Sequence, residues 1–405
     1  MGEEPTVTVH ADDLRHLDRH GFEEDPRPFT VDEYRSRVAR FQDGMAQAGV
    51  DVLVVTTPEH LNYLTGFDPL GIYLYSAVVL TADAGEPILL THKCEQGLAW
   101  SQCWISDVRI WEHGQDPIAM TADAVHEQGT GADARIGLEM GNWYLLPAWY
   151  EQLRAALPQA TFHDATAIGQ EARIIKSQAE IELIRRAAHY ADIGFQAAVE
   201  HLRPGVSEFE LNARILAAMA DAGSEYAALP MIIGSGPRSG LFHAAPSARI
   251  VEDGDPVMFE ISGVSARYNS NIVRTIVAGR AGDELAQLHK IVLDSFWEPF
   301  ELVKPGVSVG ELDRLSRQIR SRYAEYIPAR VGFGMGLAYP PVWVGRPDIL
   351  DGDEHVLEPG MVFSMEPSIA HYKGMSVIYG YNILVTETGG EILHSTPRDL
   401  FEVLK

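Results

Sequence analysis

Cysteine is scarce, with Cys94 and Cys103 the two thiols in a chain of 405 residues. Their spacing matches no zinc-binding pattern, so a disulfide framework and a structural zinc site are excluded and a reducing compartment is expected. Positive charge is scarce too, because 32 Lys and Arg stand against 57 Asp and Glu and leave a net charge of −25. That balance argues against nucleic acid and anionic membrane surfaces as partners, since both are held by clustered Lys and Arg. No apolar run approaches the roughly 18 residues of a membrane span. The start, Met1-Gly2-Glu3-Glu4, has no basic segment and no apolar run after it, so no secretion signal is read and a cytoplasmic location is expected. Gly2 and Thr6 fit the spacing of a myristoylation signal, but their acidic flanks speak against one.

What the chain does have is apolar content, 46% of its residues, enough for a large core and two domains. Residues 1–29 are charged and lack sustained periodicity, which suggests an irregular arm or a short helix from Ala11 to His20. Thr30-Val31-Asp32-Glu33 fits a capping box, and Tyr34, Val38, Phe41 and Met45 carry a helical stripe toward Gly49. The run Val52–Val55 reads as a buried strand. Further strands at Ala77–Leu80, Pro87–Leu90, Val108–Trp111 and Arg135–Leu138 alternate with helical stretches, an α/β layer pattern over 30–170. From 171 to 405 the character changes. Ser177 caps a long helix with Ile181, Ile184 and Ala188 at helical spacing. Two similar turns, Leu202-Arg203-Pro204-Gly205-Val206-Ser207 and Val303-Lys304-Pro305-Gly306-Val307-Ser308, each precede a helix with an acidic first turn, which suggests a weak internal repeat.

The second region carries its motifs in a telling order. Ser235–Leu241 leads into Phe242-His243, and Glu260-Ile261-Ser262-Gly263 follows. Arg267–Tyr268 then opens a run through Asn271 to Arg274-Thr275. After these come Gly332-Phe333-Gly334, then Phe363-Ser364-Met365-Glu366-Pro367, and last Gly380-Tyr381-Asn382 running to Thr386-Glu387. This order resembles the creatinase/methionine aminopeptidase ("pita-bread") superfamily. The stretch Pro58–Phe67 similarly resembles the N-terminal domain of creatinase, prolidase and aminopeptidase P. The resemblance implies a creatinase-type α/β N-terminal domain followed by a C-terminal pita-bread domain, whose pseudo-twofold the repeated turns would reflect. It also implies a homodimer.

In the metal-dependent members five ligands run Asp, Asp, His, Glu, Glu. Laid over this chain they fall on Glu260, Asn271, Phe333, Glu366 and Gly380. A phenyl ring has no lone pair and glycine has no side chain, so the expected metal ligands are too few and no metal cofactor is expected. Glu260, Glu366 and His243 remain as expected catalytic residues. The resemblance implies that His243 faces the substrate, as general acid and base in metal-free creatinase. The Glu260 segment resembles ectoine hydrolase, which opens a cyclic amidine with a glutamate there. Creatinase itself fits less well, because Leu74 falls where its carboxylate-holding Arg belongs and Val273 replaces the Glu before its Arg-Thr.

Two carboxylates in one cavity without a cation repel, so one group should hold a proton and an acid is separated from a base. Either a glutamate activates water while His243 protonates the departing nitrogen, or Glu260 attacks directly. Asn271 is expected to donate to a carbonyl or oxyanion. Arg330 is expected to hold a substrate carboxylate, with Arg238 and Arg346 as further candidates, and Phe333, Tyr73, Tyr339, Trp343, His371 and Tyr379 are expected to line or reach the substrate pocket. The expected function is metal-independent hydrolysis of a C–N bond in a small nitrogen compound: an amidine, a cyclic amidine of ectoine type or an N-substituted amino acid. A metal-dependent Xaa-Pro peptidase and a non-catalytic small-molecule-binding protein stay open as alternatives.

Overall fold

The computed structural model describes residues 27–83, 85–128 and 133–404. The arm and the short helix expected before residue 27 therefore lie outside the described residues. The chain forms two compact units, one ending at Arg173 and the other beginning at Ile174.

In the first unit, helix α1 (Val31–Ala48) starts where Thr30 Oγ1 accepts the Glu33 N–H at 3.3 Å. It stops at Gly49, whose φ of 63° is the left-handed turn that ends a helix. Its stripe of Tyr34, Val38, Phe41 and Met45 is buried. Helix α2 (Pro58–Thr65) follows strand β1 (Val52–Val55). The sheet runs β4-β3-β2-β1-β5-β6, with β2 (Ala77–Thr81), β3 (Ile88–His92), β4 (Val108–Trp111), β5 (Arg135–Leu138) and β6 (Thr161–Asp164). Strand β3 begins one residue after Pro87, which has no N–H to give a ladder. All four residues of β1 are buried, as a central strand covered on both faces requires.

The second unit opens with α3 (Gln178–His201), where Ser177 and Glu180 form the reciprocal capping box. Helices α4 (Glu208–Asp221), α5 (Asp283–Phe300) and α6 (Val309–Ile319) follow. They accompany a large sheet whose backbone order is β11-β10-β12-β14-β9-β8-β7. Its strands are β7 (Ile232–Ser235), β8 (Asp255–Ser265), β9 (Tyr268–Ala278), β10 (Gly332–Gly334), β11 (Gly345–Ile349), β12 (Val362–Met365) and β14 (Met375–Val385), with β13 (Ser368–Tyr372) paired to β14.

Alternation along the long strands decides what faces where. Phe259, Ile261, Ile272, Arg274, Tyr379 and Tyr381 are buried, and the apolar ones join Phe195, Val292 and Phe296 of α3 and α5 in one core. Their neighbours Glu260, Asn271, Val273, Gly380 and Asn382 point to the other face, because successive side chains in a strand alternate.

The two turns suggested as a repeat adopt the same backbone arrangement. Gly205 and Gly306 have φ of 90° and 87°. Gly205 donates to Val251 O at 2.9 Å and Gly306 to Leu357 O at 2.8 Å. Val251 and Leu357 donate back to Val206 and Val307, and Ser207 and Ser308 then cap α4 and α6.

Candidate active site

Glu260 lies in the middle of β8, Asn271 on its partner β9, and Glu366 just beyond β12. One amide joins them: Asn271 Nδ2 donates to Glu260 Oε1 at 3.1 Å and to Glu366 Oε1 at 2.8 Å. Ser364 Oγ donates to the same Glu366 oxygen at 2.6 Å. Both carboxyls sit in the wall of a cavity of about 730 Å³ whose other walls are mostly apolar, including Met231, Ile232, Phe333 and Trp343.

Burial and the nearby Glu366 charge push Glu260 well above the usual carboxylate range, against the one hydrogen bond from Asn271. Burial raises Glu366 as well, opposed by hydrogen bonds from Ser364 and Asn271 and by the Arg330 charge. Glu366 has more donors than Glu260, so of the two it is the better-stabilised anion.

The positions that would complete a dinuclear metal site supply nothing. Phe333 presents a ring to the cavity. A Cβ at Gly380 would lie 2.8 Å from the Met365 carbonyl and 2.9 Å from Glu366 Cγ, so even the first atom of a ligand side chain has no room. Among the described residues no group of three or more His, Cys, Asp and Glu is arranged to hold an ion. Two carboxylates and an amide do not fit a dinuclear centre, which needs bridging carboxylates and further hard donors.

The other expected site residues separate into two sets. His243, Arg330, Phe333 and Trp343 line the cavity with the two glutamates. Arg330 pairs with Asp348 and lies 5.1 Å from the Phe333 ring centre, while Arg346 reaches Asp348 at 2.7 Å and Asp353 at 3.2 Å. Tyr379, expected in the pocket, points the opposite way: strand alternation places it on the helix side, where it stacks on Arg274 at 3.6 Å. Tyr339 is fully buried outside the cavity wall, 5.9 Å from the Arg267 guanidinium. His371 is also outside that wall, with Nδ1 against the Gly240 carbonyl. Arg238 is held by Glu208 at 3.0 Å and by the Ala245 carbonyl at 2.6 Å, a structural role. Tyr73 belongs to the first unit, where it is 82% exposed beside a smaller cavity that Trp143 and Trp149 also line.

Sequence reasoning passed over Ser364, Asn382 and Asp348. Ser364 stands two residues before Glu366, and Asn382 two after Gly380, so the period of a strand was the signal available for both. Asp348 came into view only through its pairing with Arg330.

Comparison with known proteins identifies the fold and the family. Residues 37–175 match the Creatinase/Prolidase N-terminal domain, and residues 182–387 match Metallopeptidase family M24. The chain is 28% identical over 394 residues to the ectoine hydrolase of Halomonas elongata, covering 92% of this chain and 98% of that protein. It is 29% identical over 368 residues to the Xaa-Pro dipeptidase of Pyrococcus furiosus, covering 90% and 99%. The crystal structure of the prolidase from Pyrococcus horikoshii OT3 superposes with a TM-score of 0.79 at 28% identity, covering 90% of this chain and all of that one. With a creatinase-type domain ahead of a pita-bread domain and a match spanning half its length, the chain belongs to metallopeptidase family M24 and is a hydrolase by kinship.

Proposed function

We propose that the protein is a metal-independent hydrolase of a C–N bond in a small cationic nitrogen compound, an amidine or cyclic amidine of ectoine type foremost and an N-substituted amino acid next. One observation carries the reading. A single amide nitrogen bridges two buried carboxyls where a metal pair would sit, and positions 333 and 380 offer no donor. The similarity to the Halomonas ectoine hydrolase supports the substrate class.

The pair at rest holds one proton and one negative charge in a largely apolar cavity. An amidinium cation entering it supplies the missing positive charge and favours release of that proton, so both carboxylates become available as the substrate binds. From there two routes involve the same atoms. In one, Glu260 takes a proton from water and the hydroxide adds to the amidine carbon. In the other, the Glu260 carboxylate adds to that carbon itself, and the amine departs to leave an anhydride-like acyl imidate. Water then attacks the Glu260 carboxyl carbon, so that one glutamate oxygen leaves with the product amide and the carboxylate is restored. In both, the carbon becomes tetrahedral, one C–N bond breaks, and the departing nitrogen takes a proton from His243, leaving an N-acyl amine. Single turnover in ¹⁸O-water separates the routes, because only direct attack places label in the Glu260 carboxyl.

The deciding experiment is turnover by chelator-treated protein, read by mass spectrometry. The panel holds ectoine, hydroxyectoine, creatine, N-acyl amino acids and Xaa-Pro dipeptides. Conversion of an amidine or N-substituted amino acid without metal is expected. The similarity to Xaa-Pro dipeptidases carries the second reading, and cleavage of a dipeptide restored by manganese or zinc alone would replace the first with it. Binding of a panel compound without any turnover would instead leave a binding protein.

A further inference from the structure

Behind Asn271 lies a buried chain of polar groups that the reaction scheme leaves without a task. Asn382 Oδ1 accepts the Asn271 backbone N–H at 2.8 Å and the Ser270 hydroxyl at 2.5 Å. Its Nδ2 donates to Asn271 Oδ1 at 2.8 Å. Ser270 Oγ lies 3.4 Å from His394 Nε2, and His394 Nδ1 lies 3.2 Å from Asp192 Oδ1. Asp192 is anchored in turn by the Ser395 N–H at 2.6 Å and the Thr396 hydroxyl at 2.7 Å. Ser270, Asn271, Asn382 and His394 are buried.

An amide oxygen and an amide nitrogen are told apart by their partners. A backbone N–H can only donate, so the Asn382 atom facing it must be the oxygen. The Asn382 nitrogen then faces Asn271, which fixes the Asn271 oxygen at that contact. The Asn271 nitrogen is left pointing at Glu260 and Glu366. The orientation of both amides thus follows from one backbone N–H.

We propose that Asn382 is a positioning residue, backed by Ser270, His394 and Asp192, whose task is to hold the Asn271 amide with its nitrogen toward both catalytic carboxyls. The alternative orientation would place a carbonyl oxygen between two carboxyls and remove their shared donor. The inference rests on the reading of Glu260 and Glu366 as the reacting pair, but its test does not need a substrate.

The test replaces Asn382 by aspartate, Asn382→Asp, an isosteric change whose second oxygen repels the Asn271 oxygen. The Asn271 amide then turns over and its oxygen faces the carboxyls. The protein is labelled with ¹³C at the glutamate carboxyls and ¹⁵N at asparagine, with Glu260→Gln and Glu366→Gln assigning the signals. The Asn271 side-chain ¹⁵N follows the carboxyl titration in the unmodified protein and ceases to follow it in Asn382→Asp, a change that the added charge alone does not produce. Where a substrate is in hand, kcat falls about ten- to a hundredfold with KM little changed.

An Asn271 ¹⁵N that still follows the carboxyl titration in folded Asn382→Asp overturns the proposal, whether or not the protein turns over any amidine. If that variant does not fold, the unmodified protein still decides. The ¹⁵N shift of the Asn271 side-chain amide follows the carboxyl titration if its nitrogen faces the pair, and an Asn271 amide that ignores the titration sinks the idea. Failure of every panel substrate with the expected Asn271 ¹⁵N response intact overturns the hydrolase reading and leaves the positioning in place.

Discussion

Glu260 is where chemistry and stability pull in opposite directions. Burial and the Glu366 charge raise its pKa above the usual 4.5, so the fold favours the neutral acid. A raised carboxyl gives its full contribution below the unfolded value and loses it as pH rises through the folded one. Above about pH 5 the ionised form therefore costs stability, and Glu260→Gln removes that cost. Thermal melts from about pH 5 to about pH 8 are expected to show the variant gaining on the unmodified protein as pH rises, while its turnover falls about 10²- to 10⁴-fold. A variant that is both less stable and fully active would contradict the assignment. The same direction sets the pH–rate profile: the acid limb of kcat/KM lies above the ordinary carboxylate range, and a limb at or below 4.5 would show that neither glutamate is the titrating base. Gly380 is a third test at this scale. Gly380→Ala puts a methyl against the Met365 carbonyl and should cost about 1–3 kcal/mol in denaturant unfolding.

At the scale of elements, the paired turns and the long helix α3 carry the second unit. Ser207 Oγ accepts the Glu210 N–H at 3.1 Å and Ser308 Oγ the Gly310 N–H at 3.2 Å. Each serine changed to alanine should cost about 1 kcal/mol, and the two should add because the turns share no partner. A large excess in the double variant would mean that the two halves fold as one tightly interlocked element. Helix α3 also delivers Asp192 to its partners. Burial pushes that carboxyl up, but hydrogen bonds and charge from His394, with the Ser395 N–H and Thr396 hydroxyl, outweigh it and hold it at about 2. A lowered carboxyl contributes above its unfolded value of 3.8 and loses the contribution as pH falls toward about 2, roughly 2 kcal/mol in all. Asp192→Asn should flatten that part of the acid unfolding curve, and an unchanged curve would place the acid sensitivity elsewhere. Much at this scale was legible beforehand: Thr30 and Ser177 announced their helices through side-chain oxygens, and β1 announced itself as four apolar residues in a row. Strand faces were less legible. Tyr379 was expected in the pocket, but one step along β14 reverses a side chain, so Tyr379 packs on Arg274 while Gly380 and Asn382 face the site.

The whole molecule adds the metal question and the assembly. Chelator treatment is expected to leave thermal stability and amidine turnover unchanged, since the residues at positions 333 and 380 give an ion nothing to bind. The family resemblance implies a homodimer, and assembly is tested at this scale. Light scattering should then report twice the chain's mass, and a clean monomer at working concentration would count against it. The sequence by itself determined the family, the order of motifs and the side chains at positions 333 and 380, because these rest on which atoms each residue owns. A phenyl ring and a glycine hydrogen remain poor ligands in any fold. Only the tertiary structure decided that one amide nitrogen serves both carboxyls, that Asn382 orients it, and that Arg330 answers to Asp348. Those groups lie far apart in sequence, and sheet register, strand alternation and burial bring them within hydrogen-bond reach.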